Sequence, residues 1–233
     1  MDHCRVQSKD IKNRMARVAR VVVPGYPHHI TQRGNRRQRT FFSVADYLAY
    51  FSLLVEAKID SEVEFWAYCL MPNHVHFVAV PAHKNSLAEL FQGAHRRYTR
   101  MVNSRNGWRG HLWQERFHSF VMDEPHLIAA IRYIELNPVR ADLCPKPQDW
   151  RWSSVHAHLA GKNDALVTVK PMLQLFRDWS TYLDISEDNE YTDRIRLHTR
   201  TGRPAGSPLF LEQLENITGR NLKKLKPGPK KDK

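Results

Sequence analysis

The chain has 233 residues with 36 Lys and Arg against 24 Asp and Glu, a formal charge of +12 with histidine neutral. That length allows one substantial core with an appendage or two small domains, and 42% apolar with 10% aromatic residues excludes global disorder. No run of about 18 apolar residues offers a bilayer span, and the charged N-terminal stretch MDHCRVQSKDIKNRMARVARVVVPGYP does not fit an export signal, so the expected location is the cytoplasm with no membrane partner.

The predicted elements begin after a basic N-terminal segment, residues 1–26. His28 to Gln32 reads as a first strand, closed by the turn-rich Arg33-Gly-Asn-Arg-Arg-Gln-Arg39. A helix from about Val44 to Ala57 places Ala45, Leu48, Phe51 and Leu54 at helical spacing, with Ser43 as its cap. Glu62 to Leu70 alternates Val63, Phe65, Ala67 and Cys69 against Glu62, Glu64 and Trp66, and His74 to Val80 follows across Met71-Pro72-Asn73; the pair predicts a hairpin. A second helix, from Ser86 to Met101 or just beyond, turns Leu87, Leu90, Phe91 and Ala94 inward. His111 to Met122 reads as a strand, and a third helix opens at Asp123-Glu124-Pro125 and stops near Asn137, where Pro138 ends the hydrogen-bond ladder.

The order β, α, β, β, α, β, α predicts an α+β fold whose first six elements match a ferredoxin-like unit, an antiparallel sheet with helices over one face. This domain is expected over residues 27–160, with a short closing helix at Trp152 to Leu159. A C-terminal extension, 161–233, follows. It contains helices at Leu173 to Tyr182 and Leu209 to Ile217, a charged stretch from Glu187 to Arg196 between them, and a flexible basic tail from Arg220.

The positive excess attracts polyanions without distinguishing DNA from RNA. Arg33, Arg36, Arg37, Arg96, Arg97 and Arg100 are candidate phosphate contacts, against the plain reading of solvated side chains. Trp108 is a candidate stacking surface for unpaired bases; Trp113 fits core packing better. Cys4, Cys69 and Cys144 are too few and too scattered for a disulfide framework and read as reduced thiols.

The sharpest local pattern is Asn73-His74-Val75-His76-Phe77. Strand alternation puts both imidazoles on one face, about 6 to 7 Å apart, where they can converge on one ion. Half-buried structural histidines are the plain alternative in a chain with 13 of them. A zinc site through Cys69 lacks a fourth ligand. On the third helix, Leu127, Ile131 and Ile134 form one apolar stripe, and Ala130, Tyr133 and Asn137 another about a quarter-turn away. Tyr133 and Asn137 are four positions apart, so a phenol and an amide share a face. The competing reading is a rim tyrosine and a capping asparagine.

With these residues in place, the sequence resembles a known family. CLMPNHVHFVAVP, then HRRYTRMVNSRNGWRGHLWQERFHSFVMDEPHLIAAIRYIELNPVRADL and DWRWSSVHAH, are similar to the single-tyrosine HUH endonucleases, and within them to the insertion-sequence 200-like and repetitive-palindrome-associated tyrosine transposases. The likeness runs from about Pro27 to Leu159 and is specific because MPNHVH, LWQERF and YIELNPVRA occur in order. It implies that His74 and His76 are the HUH pair, Tyr133 the nucleophile, and Asn137 the helix-borne metal ligand. It further implies Mg²⁺ or Mn²⁺ as cofactor, and single-stranded or hairpin DNA, with palindromic repeats, as partner.

The implied reaction is attack by Tyr133 on phosphorus, giving a 5′-phosphotyrosine and a free 3′-OH, later resolved by another DNA 3′-OH. A phenol of pKa near 10 needs help to ionise, and no base is evident. One nucleophile per chain leaves open a homodimer or a monomer acting twice. The alternative function is a noncatalytic, palindrome-binding DNA regulator on the same fold. His29 can face the site from the first strand, though core packing explains it equally well.

Overall fold

The computed structural model describes residues 20–185 and 189–222. The expectations for the segment before Arg20, for Cys4 and for the tail from residue 223 lie outside them. In chain order come β1 (His28–Arg33), α1 (Val44–Asp60), β2 (Val63–Met71), β3 (His74–Pro81), α2 (Ser86–Asn106), β4 (His118–Val121) and α3 (Glu124–Glu135). The strands form one sheet in the order β2-β3-β1-β4, with every pairing antiparallel. This is the ferredoxin-like arrangement expected from the element order.

Helices α1 and α2 cover one face. Ser43 caps α1 through a capping box with Asp46, and Gly107, in the left-handed conformation at φ 62°, ends α2. Tyr50, Leu54, Leu87, Phe91 and Tyr98 bury against Phe65, Phe77 and Val75 of the sheet. The inner stripe of α1 differs from expectation. Tyr47, Tyr50 and Leu54 face inward and Leu48 is 47% exposed. Tyr47 and Tyr50 bury large rings beside the expected Leu54, and Asp46 turns inward to meet Arg105 at 2.6 Å.

Three further expectations need correction. First, β2 does not alternate simply, because its register shifts between Phe65 and Ala67. This bulge puts Phe65 with the α1/α2 core and swings Ala67 and Cys69 to the opposite face. Second, the strand expected from His111 is only His118–Val121. Glu115 adopts φ 57°, which breaks an extended run, and Trp113 makes only an isolated bridge to Gly34. Third, α3 ends at Glu135 and the chain continues after Leu136 into a short α4 (Asn137–Arg140), with Pro138 tolerated in its first turn.

Beyond α4 lie α5 (Val155–Leu159), α6 (Lys170–Leu173), α7 (Trp179–Asp184), α8 (Asn189–Thr201) and α9 (Pro208–Thr218). The helix expected at Leu173 to Tyr182 is thus split into α6 and α7, because Asp178 caps a new start by accepting from the Ser180 and Thr181 amides. The charged stretch reaching Arg196 folds largely as α8. These segments cover the second face, where α3 packs Ile131 and Ile134 against Val78, Cys69 and Phe120.

The same segments seal both sheet edges. Leu70 donates to the Trp152 carbonyl at 2.8 Å and Thr168 to Phe65 at 2.8 Å along β2, while Ala205 donates to Val121 at 2.9 Å along β4. Backbone groups that would otherwise present an open template are thereby paired. Among the described residues no helix is long and apolar enough to cross a membrane.

Candidate active site

His74 and His76 project from β3 onto the α3 face, as their alternation requires, with ring centroids 4.9 Å apart. Tyr133 of α3 meets them: its ring lies 5.7 Å from that of His76. Asn137 follows at the start of α4, 9% exposed, with a side-chain nitrogen that has no hydrogen-bond partner. Its amide orientation is interchangeable, so the unpartnered position can equally be its acceptor oxygen.

Each histidine has one nitrogen engaged. The Asn73 amide nitrogen donates to the Arg37 carbonyl at 3.0 Å, which makes its oxygen the acceptor for His74 Nδ1 at 2.6 Å. His76 Nδ1 lies 3.1 Å from His29 Nε2, a buried contact across neighbouring strands. No hydrogen bond among the described residues uses either Nε2. Burial and Arg33 push the His74 pKa down to about 3, and burial with His74, His29, Arg33 and Arg140 holds His76 well below its ordinary value. A neutral imidazole whose Nε2 is unprotonated and outside any hydrogen bond can offer its lone pair to a divalent cation. Among the described residues no three His, Cys, Asp or Glu side chains cluster as ligands. The Asn137 amide is of a type that suits a cation that accepts oxygen.

Positive charge surrounds the phenol. The Arg140 guanidinium stacks 4.2 Å from the Tyr133 ring centroid and donates to the Tyr133 carbonyl. Arg196 of α8 and half-buried Arg33 both lie within electrostatic reach of the Tyr133 side chain. On the other side of the helix, buried Glu135 accepts from Ser154 Oγ at 2.5 Å, His158 Nδ1 at 2.7 Å and Trp179 Nε1 at 2.8 Å. That network fixes the rotation of α3 and hence the direction of Tyr133. At the N-terminus of α3, Asp123 accepts from His126 N at 3.2 Å and Ser207 N at 2.8 Å.

The basic residues disperse. Arg33 is beside the imidazoles; Arg36 and Arg37 are exposed on the loop after β1, at φ 53° and 61°. Arg97 pairs with Glu56 at 2.6 Å. Arg96 and Arg100 line a cavity of about 680 Å³ with Arg20, Gln32, Trp113 and Arg116, on the α2 side of the sheet and away from the imidazoles. Trp108 is 50% exposed and packs edge-on to Phe42, whereas Trp113 is buried, as expected. Sequence reasoning missed Arg140 and Arg196 and left His29 undecided. Arg140 lies only seven residues after Tyr133, close enough in sequence to be a candidate neighbour; Arg196 has no local signal.

An antiparallel sheet of this order, with a His-x-His strand beneath a tyrosine-bearing helix, defines a single-tyrosine HUH transposase fold. Residues 22–137 match the family described as "Transposase IS200 like". The REP-associated tyrosine transposase of Escherichia coli (strain K12) is 21% identical over 126 residues, spanning 54% of this chain and 74% of that protein. The solved structure of a REP-associated tyrosine transposase bound to a REP hairpin superposes with a TM-score of 0.55, covering 66% of this chain and 92% of that one at 20% identity. The chain belongs to the IS200-like family of single-tyrosine transposases and is an enzyme of that class.

Proposed function

We propose that this chain cleaves and rejoins single-stranded DNA at hairpins through a 5′-phosphotyrosine on Tyr133. The observation that carries the reading is the meeting of the Tyr133 ring with His76 at 5.7 Å, inside a ring of guanidiniums from Arg33, Arg140 and Arg196. His74 and His76, through Nε2, and Asn137, through its amide, would hold Mg²⁺ or Mn²⁺. When bound, such an ion withdraws charge from a scissile phosphate and stabilises the crowded transition state.

The protein's own groups do the rest. Arg33 holds the phosphate beside the imidazoles, and Arg196 offsets the negative charge that develops on the Tyr133 oxygen as it attacks and its proton passes to solvent. The Tyr133 oxygen bonds to phosphorus as the P–O3′ bond breaks, and the departing 3′-oxygen takes a proton from solvent to leave as a 3′-OH. The covalent link conserves the phosphodiester, so an incoming 3′-OH can displace Tyr133 and complete strand transfer. The partner is hairpin DNA, the kind of ligand bound in the solved relative; Arg36, Arg37, Arg96, Arg100 and Trp108 are its proposed outer contacts, and Arg97 contributes less because Glu56 already occupies it.

The test is incubation with a library of single-stranded hairpins and Mn²⁺, followed by denaturing electrophoresis for a protein–DNA adduct. We expect an adduct that Tyr133→Phe abolishes and that hairpin binding survives. Salt-sensitive hairpin binding with no adduct on any DNA would assign the chain to the noncatalytic regulators instead.

A further inference from the structure

His29 stands apart from the thirteen histidines by its neighbours. It is fully buried on β1, stacked on His76 at 5.3 Å and edge-on to Phe120 at 5.0 Å. Its Nε2 lies 3.1 Å from His76 Nδ1, and its Nδ1 lies 3.4 Å from Thr199 Oγ1 of α8. A continuous line of polar atoms therefore runs from α8, through β1, to the imidazole on β3. Thr199 lies outside residues 22–137, the part of the chain that matches the family.

The line admits two proton arrangements. In one, His76 Nδ1–H donates to His29 Nε2 and His29 Nδ1–H donates to Thr199 Oγ1, leaving the His76 Nε2 lone pair bare. In the other, every bond is reversed, and His76 Nε2 carries the hydrogen and cannot ligate. His74 has no such freedom, because Asn73 is fixed as an acceptor by the Arg37 carbonyl. The two histidines of the pair are thus oriented by different means, one by a local asparagine and one by a relay that reaches across the sheet. Partners of this kind commonly fix a ligand's tautomer and ring plane.

We propose that His29 is the positioning residue of His76, accepting its Nδ1 proton so that Nε2 faces the cation, and that Thr199 completes the relay from α8. The inference rests on the reading of His76 as a metal ligand. The experiment uses the full chain and Mn²⁺ alone, with no DNA. Titration of Mn²⁺ followed by its electron paramagnetic resonance gives affinity, and long-range ¹H–¹⁵N spectra of histidine-labelled, metal-free protein give the tautomer of His76.

We expect His29→Phe, which keeps a flat ring without an acceptor, to weaken Mn²⁺ binding by about 10- to 100-fold and to remove the single Nδ1-H signature of His76. His29→Gln, which restores an acceptor, should recover part of the affinity. Thr199→Val should weaken binding by about fivefold or less, and keeps the proposal testable if the buried variant does not fold. Equal Mn²⁺ affinity and an unchanged His76 tautomer in His29→Phe and Thr199→Val overturn the relay and leave the ligand reading intact. Failure of the unaltered protein to bind Mn²⁺ overturns both.

Discussion

The two faces of the sheet are made of different materials. Beneath α1 and α2 the contacts are aromatic and aliphatic, with Phe41, Tyr50, Phe65, Phe77, Phe91 and Tyr98 in one continuous cluster. Beneath α3 and α8 the same strands present His29, His74, His76 and Arg33, and the helices answer with Tyr133, Thr199 and Arg196. Strand alternation makes this possible, since β3 sends Val75 and Phe77 to one side and His74 and His76 to the other. One face anchors the sheet by apolar packing; the other carries buried polar groups whose positions are set by hydrogen bonds.

If that division is right, substitutions on the two faces should lose different things. Phe77→Ala removes a fully buried ring from the apolar side and should lower stability by about 3–5 kcal/mol in urea denaturation, while Mn²⁺ affinity per folded molecule stays unchanged. Glu135→Ala strips the acceptor from Ser154, His158 and Trp179 and should cost a similar amount, about 3–5 kcal/mol, but with loss of Tyr133-dependent adduct per folded molecule as well. Equal loss of adduct in both variants would dissolve the distinction between the faces.

A smaller effect comes from His28, the neighbour of His29 on β1. Its Nδ1 donates to the Tyr26 carbonyl at 2.7 Å and its Nε2 accepts from the Val23 amide at 3.1 Å, so only the neutral ring fits. Burial lowers its pKa to about 4. Between that value and the unfolded value near 6.5, the unfolded chain binds the extra proton. Stability is therefore full above pH of about 6.5 and falls by about 1.4 kcal/mol per pH unit below it, with the loss ending near the folded pKa. Urea melts at pH 7.5, 6.5 and 5.5 check the slope, and His28→Gln should remove this share of it. Smaller again is Asp123→Ala, which removes the cap of α3 and its bond to Ser207 and should cost about 1–2 kcal/mol.

The element order and the alternation of the His74–His76 strand were readable, because each depends on a local pattern. What was not readable depends on distant residues. The Phe65/Ala67 bulge moves Cys69 beside His76, yet nothing in Val63-Glu-Phe-Trp-Ala-Tyr-Cys69 signals an extra residue. Leu48 was expected inside because it fits the helical period, but Tyr47 and Tyr50 fit it too and are larger. Helix α8 escaped notice because its buried side is narrow: Ile195 and Thr192 are its buried residues. The helix is helped instead by Glu190–Arg194 at 2.6 Å and Asp193–Arg196 at 3.1 Å, pairs that look like ordinary surface charge in a sequence. The Thr199–His29 contact spans 170 residues, beyond any local pattern.

The smallest effect on stability belongs to Arg196, and it separates the faces most cleanly. Its side chain is 59% exposed, and it is shared between Asp193 and Tyr133, so Arg196→Ala should change stability by no more than about 0.5 kcal/mol. In the proposed reaction its value lies in charge: a guanidinium close to the phenol attracts the negative charge that develops there, and hydrogen bonds to charged groups contribute about 1.5–3 kcal/mol. Losing it should slow adduct formation by about tenfold or more, with hairpin binding and Mn²⁺ affinity unaltered. Arg196→Lys keeps the charge without the planar fork and should fall between. Adduct formation at the unaltered rate in Arg196→Ala would show that Arg196 steadies α8 without acting on Tyr133.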